Sequence, residues 1–270
     1  MNDSRLEDRP VVARAERRRL PFGVRPVLLE AIAVFSLIGL VLAAAAPFVM
    51  EIAGSDWRFV MISITVYLAI VGLAAAGLRN HPHGRFGAAN VITVFRAALT
   101  AIVAASLIEA GQLRYEGDTA FSWAVAGLVV LALLLDGVDG YAARRNGTQS
   151  SFGERFDMEV DALLILLLSL LAFVSGKAGA FVILLGAMRY AYLAIHALLP
   201  RLPSDLSPSL VRKAVCVIQV SALCLIVTPL VNPPTSSVIA LGALILLGAS
   251  FGRDLVVQFS GYPSRKGIKR

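Results

Sequence analysis

Eight apolar stretches set the limits on this chain. They run approximately over residues 27–50, 57–78, 90–109, 119–137, 159–176, 179–199, 213–231 and 236–252. Each is near the roughly 20 residues a helix needs to cross the hydrocarbon of a bilayer. Composition agrees: 57% of the 270 residues are hydrophobic, 16% are charged, and the mean hydropathy is +0.76. Such values lie well outside those of soluble domains. The expected fold is therefore all-α, a polytopic membrane bundle of about eight spans. It divides into a basic tail (1–25), two additional N-terminal helices (26–85), a six-helix core (86–256) and a second basic tail (257–270). HPHGRFG at 81–87 and RLPSDLSPS at 201–209 break the pattern, and no repeat or second domain interrupts it.

The formal net charge is +7, and its placement carries more than its size. Seven arginines lie between Arg5 and Arg25. Alternate connections then hold Arg79 and Arg85; Arg144, Arg145 and Arg155; Arg201, Arg212 and Lys213; and Arg253 with the basic C-terminal tail. The intervening connections hold only Arg58, Arg114 and Lys177. By the positive-inside rule both termini face the cytoplasm of a bacterial-type inner or plasma membrane. Anionic lipid adds to the same bias. No soluble domain is left to display the charge to nucleic acid, which excludes that class of partner. LVLAAAAPF in the first run has the look of a signal-peptidase site. The run continues to Met50 behind a long basic tail, so it is expected to stay as a span. Cys216 and Cys224 share one apolar helix and read as buried small hydrophobes, without a disulfide.

Where the fourth span meets its basic connection, the chain reads DGVDGYAARRNGTQSSFGERFDMEVD. Carboxylates at a membrane boundary are costly, so four of them together need a reason. Asp136, Asp139, Gly140 and Ala143 fall on one face of a helix, and Gly153, Asp157 and Asp161 on one face of another. Facing each other, the two helices would converge four carboxylates on one spot, a site for divalent cations and a phosphorylated ligand. Hard oxygen ligands without His or Cys favour Mg²⁺ or Mn²⁺. Glu154 and Glu159 fall off both faces and read as solvated surface. His81, His83 and His196 show no ligand spacing.

As a pattern the cluster is D136-x-x-D139-G140-x-x-A143-R144, eight residues, then G153-x-x-x-D157-x-x-x-D161. This resembles the signature of the CDP-alcohol phosphotransferases, integral-membrane enzymes of phospholipid synthesis, with every fixed position present. The resemblance covers six spans, from about Asn90 to Arg253. It implies transfer of a phosphatidyl group from a CDP-linked lipid such as CDP-diacylglycerol to a small hydroxylated acceptor, releasing CMP. It also implies two Mg²⁺ (or Mn²⁺) ions and a homodimer. By the same resemblance Asp136, Asp139, Asp157 and Asp161 would hold metal, with Asp161 also the general base. Gly140, Ala143 and Gly153 lack bulk, so a nucleotide fits against backbone there, and Arg144 suits a phosphate.

Asn90, Thr93 and Arg96 open the third span as N-x-x-T-x-x-R. Similar patterns stand near the nucleotide in the family, and the spacing keeps the three on one face. Asn90 also suits a plain helix cap. Arg189, mid-span, either pairs with a carboxylate or receives an anionic group. RKAVCVIQ at 212–219 resembles the GKxKTxxQ stretch of bacterial phosphatidylglycerophosphate synthases, keeping Lys213 and Gln219. It departs by Arg212 for Gly, Val215 for Lys and Cys216 for Thr, which counts against glycerol 3-phosphate. Arg96, Arg189, Arg212 and Lys213 are the candidate acceptor contacts. They favour a phosphorylated polyol, glycerol 3-phosphate or inositol phosphate, over an amino alcohol or a lipid hydroxyl. A non-enzymatic divalent-cation carrier could use the same carboxylates, but it has no need of the small residues. The outer halves of the spans are also too apolar to continue its path.

Overall fold

In the computed structural model, residues 24–78, 86–110, 119–146, 151–198 and 210–260 are described. They form eight α-helices and, among the described residues, no strand. The helices are α1 (Val24–Ala53), α2 (Trp57–Gly77), α3 (Ala88–Ala105) and α4 (Thr119–Asn146), then α5 (Ser151–Val174), α6 (Ile183–Leu198), α7 (Leu210–Val227) and α8 (Thr235–Ser260). The chain is an all-α polytopic membrane bundle. α1, α2, α3, α4 and α8 each hold a stretch long and apolar enough to cross a bilayer. α6 and α7 offer shorter apolar lengths, and Asp157, Glu159 and Asp161 crowd one end of α5. The basic segments 1–23 and 261–270 and most of the breaks at 81–87 and 201–209 lie outside the described residues.

Hydropathy locates hydrocarbon, not helix ends, and the difference matters here. α4 continues past the apolar edge at 137 to Asn146, and α5 begins at Ser151, well before the apolar edge at 159. Both halves of the aspartate pattern therefore stand on helix.

Two apolar clusters share α3 and α5. One joins α1 and α2 to α3 and the start of α5 through Phe35, Leu42, Phe59, Tyr67, Val94, Phe152 and Phe156. The other joins α3, α4, α5, α7 and α8 through Val103, Phe121, Leu168, Leu171, Leu223, Ile226 and Ala240. In consequence every residue of α3 from Arg96 to Ala105 is buried. The α1–α2 hairpin is tied internally by Tyr67, whose hydroxyl donates to the Phe35 carbonyl at 2.7 Å. Glu30 on α1 accepts from the backbone N–H of Phe86 at 2.9 Å, fixing the entry to α3.

At the far end from the aspartates, Lys177 in the α5–α6 connection is buried. It donates to the carbonyls of Thr228 (3.1 Å) and Val231 (2.9 Å) and to Asn232 Oδ1 (2.8 Å). Ser236 at the start of α8 donates back to the Lys177 carbonyl. Burial holds the Lys177 ammonium below its usual pKa.

Helices in lipid gain nothing from hydrophobic exclusion between them, so close backbone approach carries much of the packing. α5 and α6 meet at Gly186, where a Cβ would lie 2.4 Å from Leu166 Cα and 3.0 Å from Ser169 Oγ. Gly186→Ala must push the helices apart, at about 1–3 kcal/mol, and should lower the melting temperature in detergent. Gly127→Ala, on α4 where an added Cβ meets nothing within 4 Å among the described residues, should leave it unchanged or raise it. Equal melting temperatures for the two variants would contradict this packing.

Candidate active site

The site forms where α3, α4 and α5 converge. Arg96 on α3 has a side chain only 1% exposed, and its guanidinium is the hub. Nη1 pairs with Asp136 Oδ1 of α4 at 3.1 Å and with Asp157 Oδ1 of α5, and Nη2 pairs with Asp161 Oδ1. One oxygen from each of these aspartates lies within 4.8 Å of the other two. The Asp136, Asp157 and Asp161 side chains remain 44%, 31% and 34% exposed, so the cluster is buried behind Arg96 and open in front. Three carboxylates against one guanidinium leave a net charge of −2 facing that opening. An all-oxygen donor set with that charge fits a divalent cation of the Mg²⁺ type. Asp139, Gly140, Ala143 and Arg144 all stand on α4, where the helix but not the side chains is described. Gly153 is in the first turn of α5, one turn before Asp157.

Asn90 and Thr93 are buried on α3 and spend a donor each on the preceding turn. Asn90 Nδ2 donates to the Phe86 carbonyl, and Thr93 Oγ1 to the Ala89 carbonyl at 3.1 Å. Asn90 is not the helix cap. That position is held by Gly87, whose φ of 83° suits a residue without a Cβ.

Arg189 of α6 pairs through Nη2 with Glu159 Oε1 of α5 at 2.6 Å, while its buried Nε–H has no partner among the described residues. Glu159 is thus solvated on one side and paired on the other. The side chains of Arg212 and Lys213, at the start of α7, and all of Arg201 lie outside the described residues, as do His81 and His83 and the side chain of His196. Cys224 is buried as expected, but Cys216 is exposed. It lies on the side of α7 that opens into a cavity, not on the packed side.

That cavity, about 430 Å³, lies between α5, α6, α7 and α8 and has Asp161, Arg189 and Gln219 in its wall. A larger one, about 510 Å³ between α2, α5 and α6, includes none of the three clustered aspartates. Of the two, only the smaller has a clustered aspartate in its wall. Gln219 Nε2 donates to the Leu185 carbonyl at 2.7 Å, which bonds α7 to α6 beside the site. The Glu159–Arg189 and Glu30–Phe86 contacts join residues far apart in the chain, and no local spacing signals them.

The family model described as CDP-alcohol phosphatidyltransferase matches residues 86–250, from the entry to α3 into α8. α1 and α2 lie outside the match. No curated protein and no solved structure matches the chain.

Removing Arg96 should leave three converging carboxylates without their counter-charge. Arg96→Gln is expected to cost about 3 kcal/mol in metal-free detergent. Added Mg²⁺ should raise its melting temperature more than it raises that of the wild type, because a bound cation replaces the lost charge. Scanning fluorimetry with and without Mg²⁺ reads both effects. A variant as stable as wild type without metal would show that Arg96 does not hold the cluster.

Proposed function

We propose that this chain, which belongs to the CDP-alcohol phosphatidyltransferase family, moves the phosphatidyl group of CDP-diacylglycerol to an acceptor hydroxyl and releases CMP. The observation that carries this reading is the convergence of Asp136, Asp157 and Asp161 at one opening, on the two helices that bear the family signature. A pyrophosphate diester is anionic and repels a nucleophile until its charge is offset. Two Mg²⁺ or Mn²⁺ ions, held by Asp136, Asp139, Asp157 and Asp161, would supply that offset and stabilise the departing phosphate. Gly140, Ala143 and Gly153 would leave helix backbone bare for the nucleotide, with Arg144, Asn90 and Thr93 on the same side.

Asp161 is assigned the proton. It is the one clustered carboxylate in the wall of the α5–α8 cavity, so it alone among those described has both the ion site and a substrate-sized space beside it. The acceptor oxygen attacks the lipid-side phosphorus as its proton passes to Asp161. Arg96 is read as the internal counter-charge of the cluster, not as an acceptor contact, because its side chain is almost fully buried. Arg189, with Arg212 and Lys213, is read as the cationic side of the acceptor site, so the acceptor carries a phosphate as well as a hydroxyl. The distribution of basic residues supports a cytoplasmic active site with both termini on the same side. The family resemblance supports a homodimer.

Asp161→Asn should lower turnover by about 10²–10⁴-fold while CDP-diacylglycerol still binds. CMP release at the wild-type rate would remove Asp161 from the mechanism. Activity should also disappear in excess EDTA and return with Mg²⁺ or Mn²⁺. Full turnover after elemental analysis has verified metal removal would refute the metal-dependent reading.

A further inference from the structure

We propose that the cavity between α2, α5 and α6 binds an anionic phospholipid, with the lipid phosphate at Arg155 and an acyl chain between α2 and α5. This lipid is not a substrate. It sits apart from the carboxylate cluster and fastens the additional N-terminal hairpin to the helices that carry the site.

The last turn of α2 meets the first turn of α5. Gly77 marks the contact, since a Cβ there would lie 3.3 Å from Phe152 Cε2. Phe152 stacks on Phe156 with ring centroids 6.0 Å apart, and both are buried in the cluster that α1 and α2 share with α5. Beside these rings α2, α5 and α6 enclose about 510 Å³, within the roughly 300–1,000 Å³ of ligand sites.

The polar groups of the wall gather at one level. Arg155 and Glu159 lie at or before the apolar edge of α5 at 159, and Tyr190 of α6 follows Arg189, the partner of Glu159. Leu163, one turn further along α5, and Ile70, Leu73 and Ala74 of α2 supply only hydrocarbon. Leu73 is 78% exposed on the rim, which leaves the cavity open sideways to lipid.

Charge decides the class of ligand. Glu159 is neutralised by Arg189 at 2.6 Å, whereas Arg155 is exposed and has no ion-pair partner among the described residues. The wall therefore keeps one unopposed positive charge at the membrane boundary. A guanidinium there suits a phosphate as a bidentate fork, and an anionic leaflet offers many. A soluble anion leaves the apolar end unfilled, and a zwitterionic lipid brings a second cation beside Arg155. An anionic phospholipid satisfies both ends. The α2 wall lies outside the matched region at 86–250, so the core by itself does not form this site.

The test measures lipid retention by native mass spectrometry on the purified full-length chain in detergent, without nucleotide. The probes are dioleoyl phosphatidic acid and dioleoyl phosphatidylcholine. Phosphatidic acid should be retained one per chain and about tenfold more tightly than phosphatidylcholine. Arg155→Gln should erase that preference, and Arg155→Lys should keep it. Because Arg155 is exposed, these variants keep the fold whatever Leu163→Trp does. Leu163→Trp, which fills the apolar end, should weaken both lipids about tenfold. Leu247→Trp, in the cavity beside Asp161, should change neither. Equal affinity for the two lipids, or a preference that survives Arg155→Gln, overturns the proposal. So does a loss on Leu247→Trp without one on Leu163→Trp, which gives the lipid to the other cavity. Displacement by glycerol 3-phosphate overturns it in favour of a soluble anion. A lipid-free dimer that separates on Leu163→Trp overturns it in favour of a second copy of the chain.

Discussion

A guanidinium buried inside a bundle of apolar helices is among the most expensive groups a helix can carry, and the arrangement of this bundle follows from how Arg96 is accommodated. Desolvating a lone charge costs more than any single pairing returns. Arg96 therefore draws three carboxylates from two other helices, and in doing so fixes the mutual position of α3, α4 and α5. The compensation is deliberately unequal. The surplus negative charge suits a divalent cation, so the same cluster that holds three helices together keeps charge to spare for one.

Much of this was legible beforehand, for identifiable reasons. The apolar runs named the helices because hydrocarbon allows so little else, and the aspartate spacing named the two faces because helical geometry is local. Arg96 stood out as a polar residue on the same face as Asn90 and Thr93. Its pairing with the aspartates did not, since Asp157 is 61 residues away and only packing brings it near. The same limit hid Glu159 from Arg189 and Glu30 from Phe86. Cys216 was misjudged for a different reason. Apolar neighbours in sequence say that a helix is in the membrane, but not which of its sides meets a cavity. Asn90 had the chemistry of a cap, whereas the backbone at Gly87 needed a conformation that only glycine adopts easily.

The two ends of the bundle are built on different principles. Around Arg96 the structure concentrates formal charge and leaves it open. Around Lys177 a single ammonium is satisfied by neutral oxygens from the α7–α8 connection and is closed off. Helix-end carbonyls carry partial negative charge, which a cation there offsets. The closed end joins the α5–α6 connection to the α7–α8 connection, and the cavity beside Asp161 lies among these same four helices.

The α1–α2 hairpin precedes the catalytic helices in the chain, and synthesis proceeds from that end. α3 reaches the bilayer carrying Arg96 before either α4 or α5 exists to neutralise it. At that moment the only finished partner is the hairpin, which already presents Phe35, Phe59 and Tyr67 for packing and Glu30 for the first backbone donor of the incoming segment. The hairpin is therefore the first tertiary surface available to α3, and it receives a marginal span during the interval in which its charge has no counterpart.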